Sequence, residues 1–105
     1  MSYTVSAENI LCETLVKEGE GVSFQVIRIF SEIAQTKLPD CYFDISARSI
    51  YAVIDAYSDI FVWEHEQIKF TKYYSENLDE VKQLFERRLP RKVRKAFDDI
   101  TLPGI

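Results

Sequence analysis

The single histidine of this 105-residue chain, His65, stands between two carboxylates, Glu64 and Glu66. An imidazole beside a carboxylate can move a proton or help hold a metal, but a zinc-type site needs three or four converging ligands. No second histidine exists, and the two cysteines, Cys12 and Cys41, are too far apart to form a ligand pair. We expect His65 to be a solvated loop residue and no metal to be bound. The paired carboxylates Asp98-Asp99 and Glu64/Glu66 have no companion nucleophile, glycine-rich phosphate loop or helical histidine pair. The chain is therefore expected not to be an enzyme and to need no cofactor. Two isolated cysteines make no disulfide framework and are expected as buried or half-buried thiols.

The remaining chemistry is electrostatic. Arg87, Arg88, Arg91, Lys92, Arg94 and Lys95 put six cations within nine residues, enough to neutralise several phosphates and give salt-dependent binding to nucleic acid. The same run also suits the solvated end of a helix, where cations are favoured. The net charge of −4 divides unevenly, with −7 over residues 1–66 and +3 over residues 67–105. An anionic partner would therefore meet the carboxy-terminal third. No apolar run approaches the ~20 residues of a membrane span, and Met1-Ser2-Tyr3-Thr4 lacks the basic and apolar parts of a secretory signal. A cytoplasmic location is expected, with a nuclear one open.

A chain 47% hydrophobic with three glycines and three prolines should fold, and its length suits one hydrophobic core. A first helix is expected over about 6–18, capped by Ser6 and stopped by Gly19, with Ala7, Ile10, Leu11 and Leu15 as its apolar stripe. A second runs from about Ser23 to Lys37, with Val26, Ile27, Ile29, Phe30, Ile33 and Ala34 on one side, and Leu38-Pro39-Asp40 ends it. Cys41 to Ile45 follows as a short extended stretch or loop. Ser46 or Ser49 caps a third helix of about 47–58 carrying Ile50, Val53, Ile54 and Tyr57, and a strand over 49–55 is its competitor.

Phe61 and Trp63 on one arm, then Ile68 and Phe70 on a second arm running from Ile68 to Tyr73, alternate with mostly polar residues as a hairpin with one buried face would. Without Gly or Asn at its tip, the loop is expected to exceed two residues. Asn77 and Glu80 have capping-box spacing for a fourth helix with Leu78, Val81, Leu84 and Phe85 inward. Pro90 breaks it, and Arg91 to Asp99 forms a last helix on Val93, Ala96 and Phe97. The expected core is Val26, Phe30, Ile33, Ile50, Ile54, Phe61, Phe70, Val81 and Phe85.

This order is α+β and winged-helix-like: three helices plus a two-stranded hairpin wing and an additional carboxy-terminal helix. One domain is expected over 1–105, with a winged-helix-like core over 5–74 and a helical extension over 75–100. The stretch Ile50 to Phe61, including Tyr57-Ser58-Asp59-Ile60-Phe61, with Ile68-Lys69-Phe70 after it, resembles the third helix and wing of LOTUS (OST-HTH) domains. The resemblance covers about residues 6–73. It departs from that family in lacking a wing-tip glycine and a glycine-rich connection within Leu38 to Ile45. It implies a winged helix used for RNA binding by some members. Members with an added carboxy-terminal helix, whose place residues 77–88 would take, dock onto Vasa-type DEAD-box helicases in germ granules.

A DNA-reading third helix presents basic and amide side chains to base edges. Residues 46–58 offer Arg48 alone, opposed by Asp55 and by nearby Asp59, so a protein partner is the first expectation. That partner, an RNA helicase or other ribonucleoprotein component, is expected on Lys82, Glu86 and Arg87, opposite the inward stripe of the fourth helix. The alternatives are an RNA- or DNA-binding winged helix using Arg87 to Lys95, and a small acidic inhibitor or immunity protein. An aromatic patch of Trp63, Tyr73 and Tyr74 leaves a homodimer open.

Overall fold

A computed structural model describes residues 3–86 and 89–100, with Glu86 described by its backbone. The order among the described residues is β1 (Tyr3–Val5), α1 (Ala7–Glu18), α2 (Phe24–Lys37), β2 (Cys41–Phe43), α3 (Ala47–Ala56), β3 (Phe61–Glu64), β4 (Gln67–Phe70), α4 (Lys72–Glu76), α5 (Leu78–Glu86) and α6 (Arg91–Asp98). The class is α+β.

Helix α1 is the centre of the packing, against α2, α3, α5 and α6. Its stripe of Ala7, Ile10, Leu11 and Leu15 is buried as expected, and Asn9, Cys12 and Thr14 are buried with it. A helix enclosed on several sides must bury polar residues of its outer face. Thr14 meets that cost by donating its hydroxyl to the Ile10 carbonyl at 2.7 Å, which pairs its own donor inside the core. Ser31 of α2 does the same with Ile27 at 2.9 Å. Gly19 ends α1 in the left-handed conformation, φ 75°, with its amide on the Leu15 carbonyl, the position where glycine has no Cβ penalty.

Helix α2 begins at Ser23, whose hydroxyl accepts from the Val26 amide at 3.3 Å. It turns Ile27, Phe30 and Ala34 inward and leaves Val26 and Ile33 half-buried against the core. Ile29, expected inward, lies with Phe24, Gln25, Arg28 and Glu32 along an outer depression of about 530 Å³. The apolar arc read from the sequence was wider than the face α2 packs. After Leu38, Gln35 donates its side-chain amide to the Leu38 and Cys41 carbonyls, fixing the turn into β2.

The extended stretch becomes a strand because the amino-terminal residues supply a partner: β1 and β2 pair in parallel, Tyr3 with Cys41 and Val5 with Phe43. Strand β1 was not anticipated. Its three residues show no useful alternation, and parallel pairing across 38 positions leaves no local signal.

Ser46 caps α3, accepting from the Ser49 amide at 3.1 Å. Ile50 and Val53 face the core, and the helix reading over 49–55 holds against the strand. At its end the Tyr57 carbonyl accepts from both Ile60 and Phe61 amides at 2.9 Å, which swings the chain into β3. Strands β3 and β4 are antiparallel, with Phe61 opposite Phe70 and Glu64 opposite Gln67. The connection is therefore His65-Glu66, two residues, which corrects the longer loop expected. Both have left-handed φ, 52° and 63°, the conformation of a type I′ hairpin turn. Val22 exchanges hydrogen bonds with Ile68 on the far side of β4, at 2.9 and 2.7 Å. Gly21 permits this approach, since a Cβ there would lie 2.8 Å from Gln67 Oε1 and Lys69 Cγ.

Helices α5 and α6 supply Val81, Phe85, Val93 and Phe97, and the chain beyond α6 supplies Ile100, to the same buried cluster as Phe30, Ile50 and Phe61. The rings of Tyr57 and Phe61 meet Phe85 at 5.6 and 6.0 Å. Of the expected core, Phe30, Ile50, Phe61, Val81 and Phe85 are buried. Val26, Ile33, Ile54 and Phe70 pack half-buried around them.

Candidate functional site

The residues that could do chemistry are spread over the surface. His65 is at the exposed hairpin tip, its Nε2 3.9 Å from Glu64, whose carboxylate also faces Lys69 at 3.4 Å. Among the described residues no group of three or more His, Cys, Asp or Glu is placed to hold a metal. Cys12 and Cys41 are buried and not joined in a disulfide, as expected of small apolar residues in a core.

Of the basic run, Arg91, Lys92, Arg94 and Lys95 lie on α6. Arg87 and Arg88 lie outside the described residues. Helix α6 buries Val93, Ala96 and Phe97, and the helical period puts Arg91, Arg94 and Lys95 on one face with Lys92 turned away from it. Arg91 and Lys95, one turn apart, are exposed, and Arg94 is half-buried. Lys92 reaches Asp40, just beyond α2, at 3.3 Å. That hydrogen bond holds the Asp40 carboxyl below the usual carboxylate range, with its own backbone and the charge of Lys92 adding to the effect. Part of the run is thus committed to the fold, which lowers the positive charge free for a polyanion.

The expected partner face on α5 also divides. Lys82 is half-buried, not freely available. Glu86 is described by its backbone, and Arg87 lies outside the described residues. Leu84, expected inward with Val81 and Phe85, is 48% exposed. The reason lies in α4, which the sequence reading had as the end of the second hairpin arm. Lys72–Glu76 is helical after Thr71, whose hydroxyl bonds the Asp59 carbonyl at 2.7 Å. Asn77 does not cap α5 with its side chain but donates it to the Tyr73 carbonyl at 2.7 Å. With α4 folded against α5, the inward side of α5 narrows to Val81 and Phe85, and Leu84 is left at the edge.

That edge is a groove of about 390 Å³ lined by Tyr73, Tyr74, Glu80, Gln83 and Leu84. Tyr73 is 56% exposed, and its ring meets that of Tyr74 edge to face, centroids 5.0 Å apart. The Tyr73 hydroxyl is hydrogen-bonded to Glu80, and that bond together with the carboxylate charge raises the phenol above its ordinary range. Trp63 does not join this pair but meets Tyr51 of α3, centroids 5.6 Å apart. The single patch expected from Trp63, Tyr73 and Tyr74 is therefore two aromatic pairs. The signal for the groove was present in the sequence, since adjacent Tyr73 and Tyr74 cannot both point inward from a helix.

The exposed side of α3 carries Arg48, Tyr51, Ala52 and Asp55, an aromatic and nearly neutral surface. Among the described residues no helix is long and apolar enough to cross a membrane. Comparisons with protein-family models, curated proteins and solved structures found no match.

Proposed function

We propose that the chain is a non-catalytic, winged-helix-like binding domain of LOTUS type that engages a protein partner through α5 and the groove beside it. The observation that carries this reading is Leu84, 48% exposed on a helix that turns Val81 and Phe85 into the core, lying with Tyr73 and Tyr74 along one groove. Exposed leucine beside tyrosine, rimmed by polar groups, is the composition of a protein-binding centre. The order of three helices and an antiparallel hairpin supports the winged-helix reading, as does the tight Tyr57-to-Phe61 turn that carries the resemblance. The near-neutral face of α3 favours protein over base edges, and fold alone assigns neither.

The partner class is a ribonucleoprotein component, with a Vasa-type DEAD-box helicase first to test. Purified chain and helicase, treated with nuclease and separated by size with light-scattering detection, should form a stoichiometric complex. Leu84→Glu should abolish it while leaving the thermal midpoint unchanged. A complex that dissolves on nuclease treatment, or one indifferent to Leu84→Glu, overturns the reading. Binding to single-stranded RNA that falls steeply with salt would transfer the function to Arg91, Lys95 and their neighbours.

A further inference from the structure

The groove on α5 combines aromatic and acidic side chains. Glu80 lines it together with Tyr73 and Tyr74, and an adjoining depression of about 330 Å³ shares Glu80 and adds Glu76 and Asp79. Among the described residues the ion pairs are Glu64 with His65 and Lys69, and Asp40 with Lys92, and none of them involves Glu76, Asp79 or Glu80. Lys72 and Lys82, the cations of α4 and α5, line neither depression. The Tyr73 hydroxyl donates to Glu80, and both side chains line the groove. A carboxylate has about four acceptor positions, so this bond leaves most of them for a ligand.

We infer that this groove receives an arginine side chain of the partner, its guanidinium against the exposed Tyr73 ring and bonded to Glu80, with an apolar neighbour covering Leu84. The inference rests on the reading of α5 as the docking surface. Arginine fits better than lysine because a planar guanidinium can lie on a ring and meet a carboxylate through two parallel N–H bonds at once. An ammonium is a more strongly hydrated point charge and does one or the other. At about 390 Å³ the groove is near the lower end of the ~300–1,000 Å³ of ligand pockets, which suits one long side chain.

The test is an NMR titration of the full chain with N-acetyl-arginine amide, N-acetyl-lysine amide and N-acetyl-leucine amide. Saturable shifts at Tyr73, Tyr74 and Glu80 are expected with arginine, with lysine weaker by about tenfold, the factor expected where one good charged hydrogen bond is lost. Glu80→Gln should weaken arginine by a similar factor, and Tyr73→Phe, which keeps the ring but removes the bond to Glu80, by less. Equal binding of arginine and lysine, an unchanged affinity in Glu80→Gln, shifts centred on another surface, or none at millimolar ligand overturn the inference. If Leu84→Glu still abolishes the protein complex while arginine fails to titrate, the docking surface stands and the arginine does not. If arginine titrates but Leu84→Glu leaves the complex intact, the docking surface falls.

Discussion

Phe43 of β2 and Phe97 of α6 meet edge to face, with ring centroids 6.0 Å apart at 64°. This contact ties the last helix to a strand formed 54 residues earlier, so the carboxy-terminal segment is part of the central core. Phe97→Ala should cost ~3–5 kcal/mol, the range for a buried phenylalanine. Against a total of ~5–15 kcal/mol that loss is a large fraction. Phe30→Ala, at a fully buried position, should cost the same. Urea denaturation measures both, and a loss below ~1 kcal/mol at Phe97 would place α6 outside the cooperative unit. Truncation after Tyr74, which removes Val81, Phe85, Val93, Phe97 and Ile100 from the buried cluster, should unfold the domain.

The elements that were legible in the sequence have local signals. Ser6 and Gly19 bracket α1, Ser23 opens α2, Ser46 opens α3, and Pro90 stands immediately before α6. What escaped depends on distant partners or on competition between neighbours. Strand β1 exists because β2 lies beside it. Helix α4 takes Tyr73 out of the hairpin, and Asn77 spends its side chain on α4. The candidate groove escaped for the same reason. Leu84 fits the period of an inward stripe, and the geometry of α4 against α5 decides that it stays outside.

The hairpin tip is a second place where local rules and fold disagree. His65 and Glu66 hold φ of 52° and 63°, and for ordinary residues each left-handed position costs ~1 kcal/mol or more. A type I′ turn prefers Asn-Gly. Replacing both residues, His65→Asn with Glu66→Gly, should stabilise the domain by roughly 1 kcal/mol after the added freedom of glycine in the unfolded chain is subtracted. For a domain of this size that is a rise of about 4–8 °C in thermal midpoint. An unchanged or lowered midpoint would show that the strain is relieved by contacts of His65 or Glu66 themselves.

The bond from Tyr73 to Glu80 has a signature in pH. Ionising the phenol removes its donor and sets two anions side by side, so its folded value lies above the ordinary 10.0. A group raised in the folded state contributes stability that is complete below its unfolded value and lost as pH rises through the folded one. The contribution is therefore full at neutral pH and fades above pH 10. In a spectroscopic titration of the ring signals Tyr73 should ionise later in the wild type than in Glu80→Gln. Identical titration in the two proteins would mean that the bond is absent in solution.

Partner binding should separate the two faces of the carboxy-terminal third. If α5 docks a protein, Leu84→Glu should act as a central hot spot, weakening binding by at least ~2 kcal/mol, about 30-fold. Charge reversal of exposed Arg91 or Lys95 on α6 should then be nearly silent. Lys92→Glu should also change binding little, although it breaks the pair with Asp40 and returns that carboxyl toward its ordinary value. If the function is nucleic-acid binding, the pattern inverts. Leu84→Glu becomes minor, and neutralising Arg91 and Lys95 lowers affinity in graded steps, each reducing the salt slope by up to ~1. Lys92 should count for less than either, because part of its charge already answers Asp40. Isothermal titration of the four variants at two salt concentrations reads both patterns at once. A steep salt slope shared equally by Arg91, Lys92 and Lys95 would contradict both the docking role of α5 and the division of the basic run.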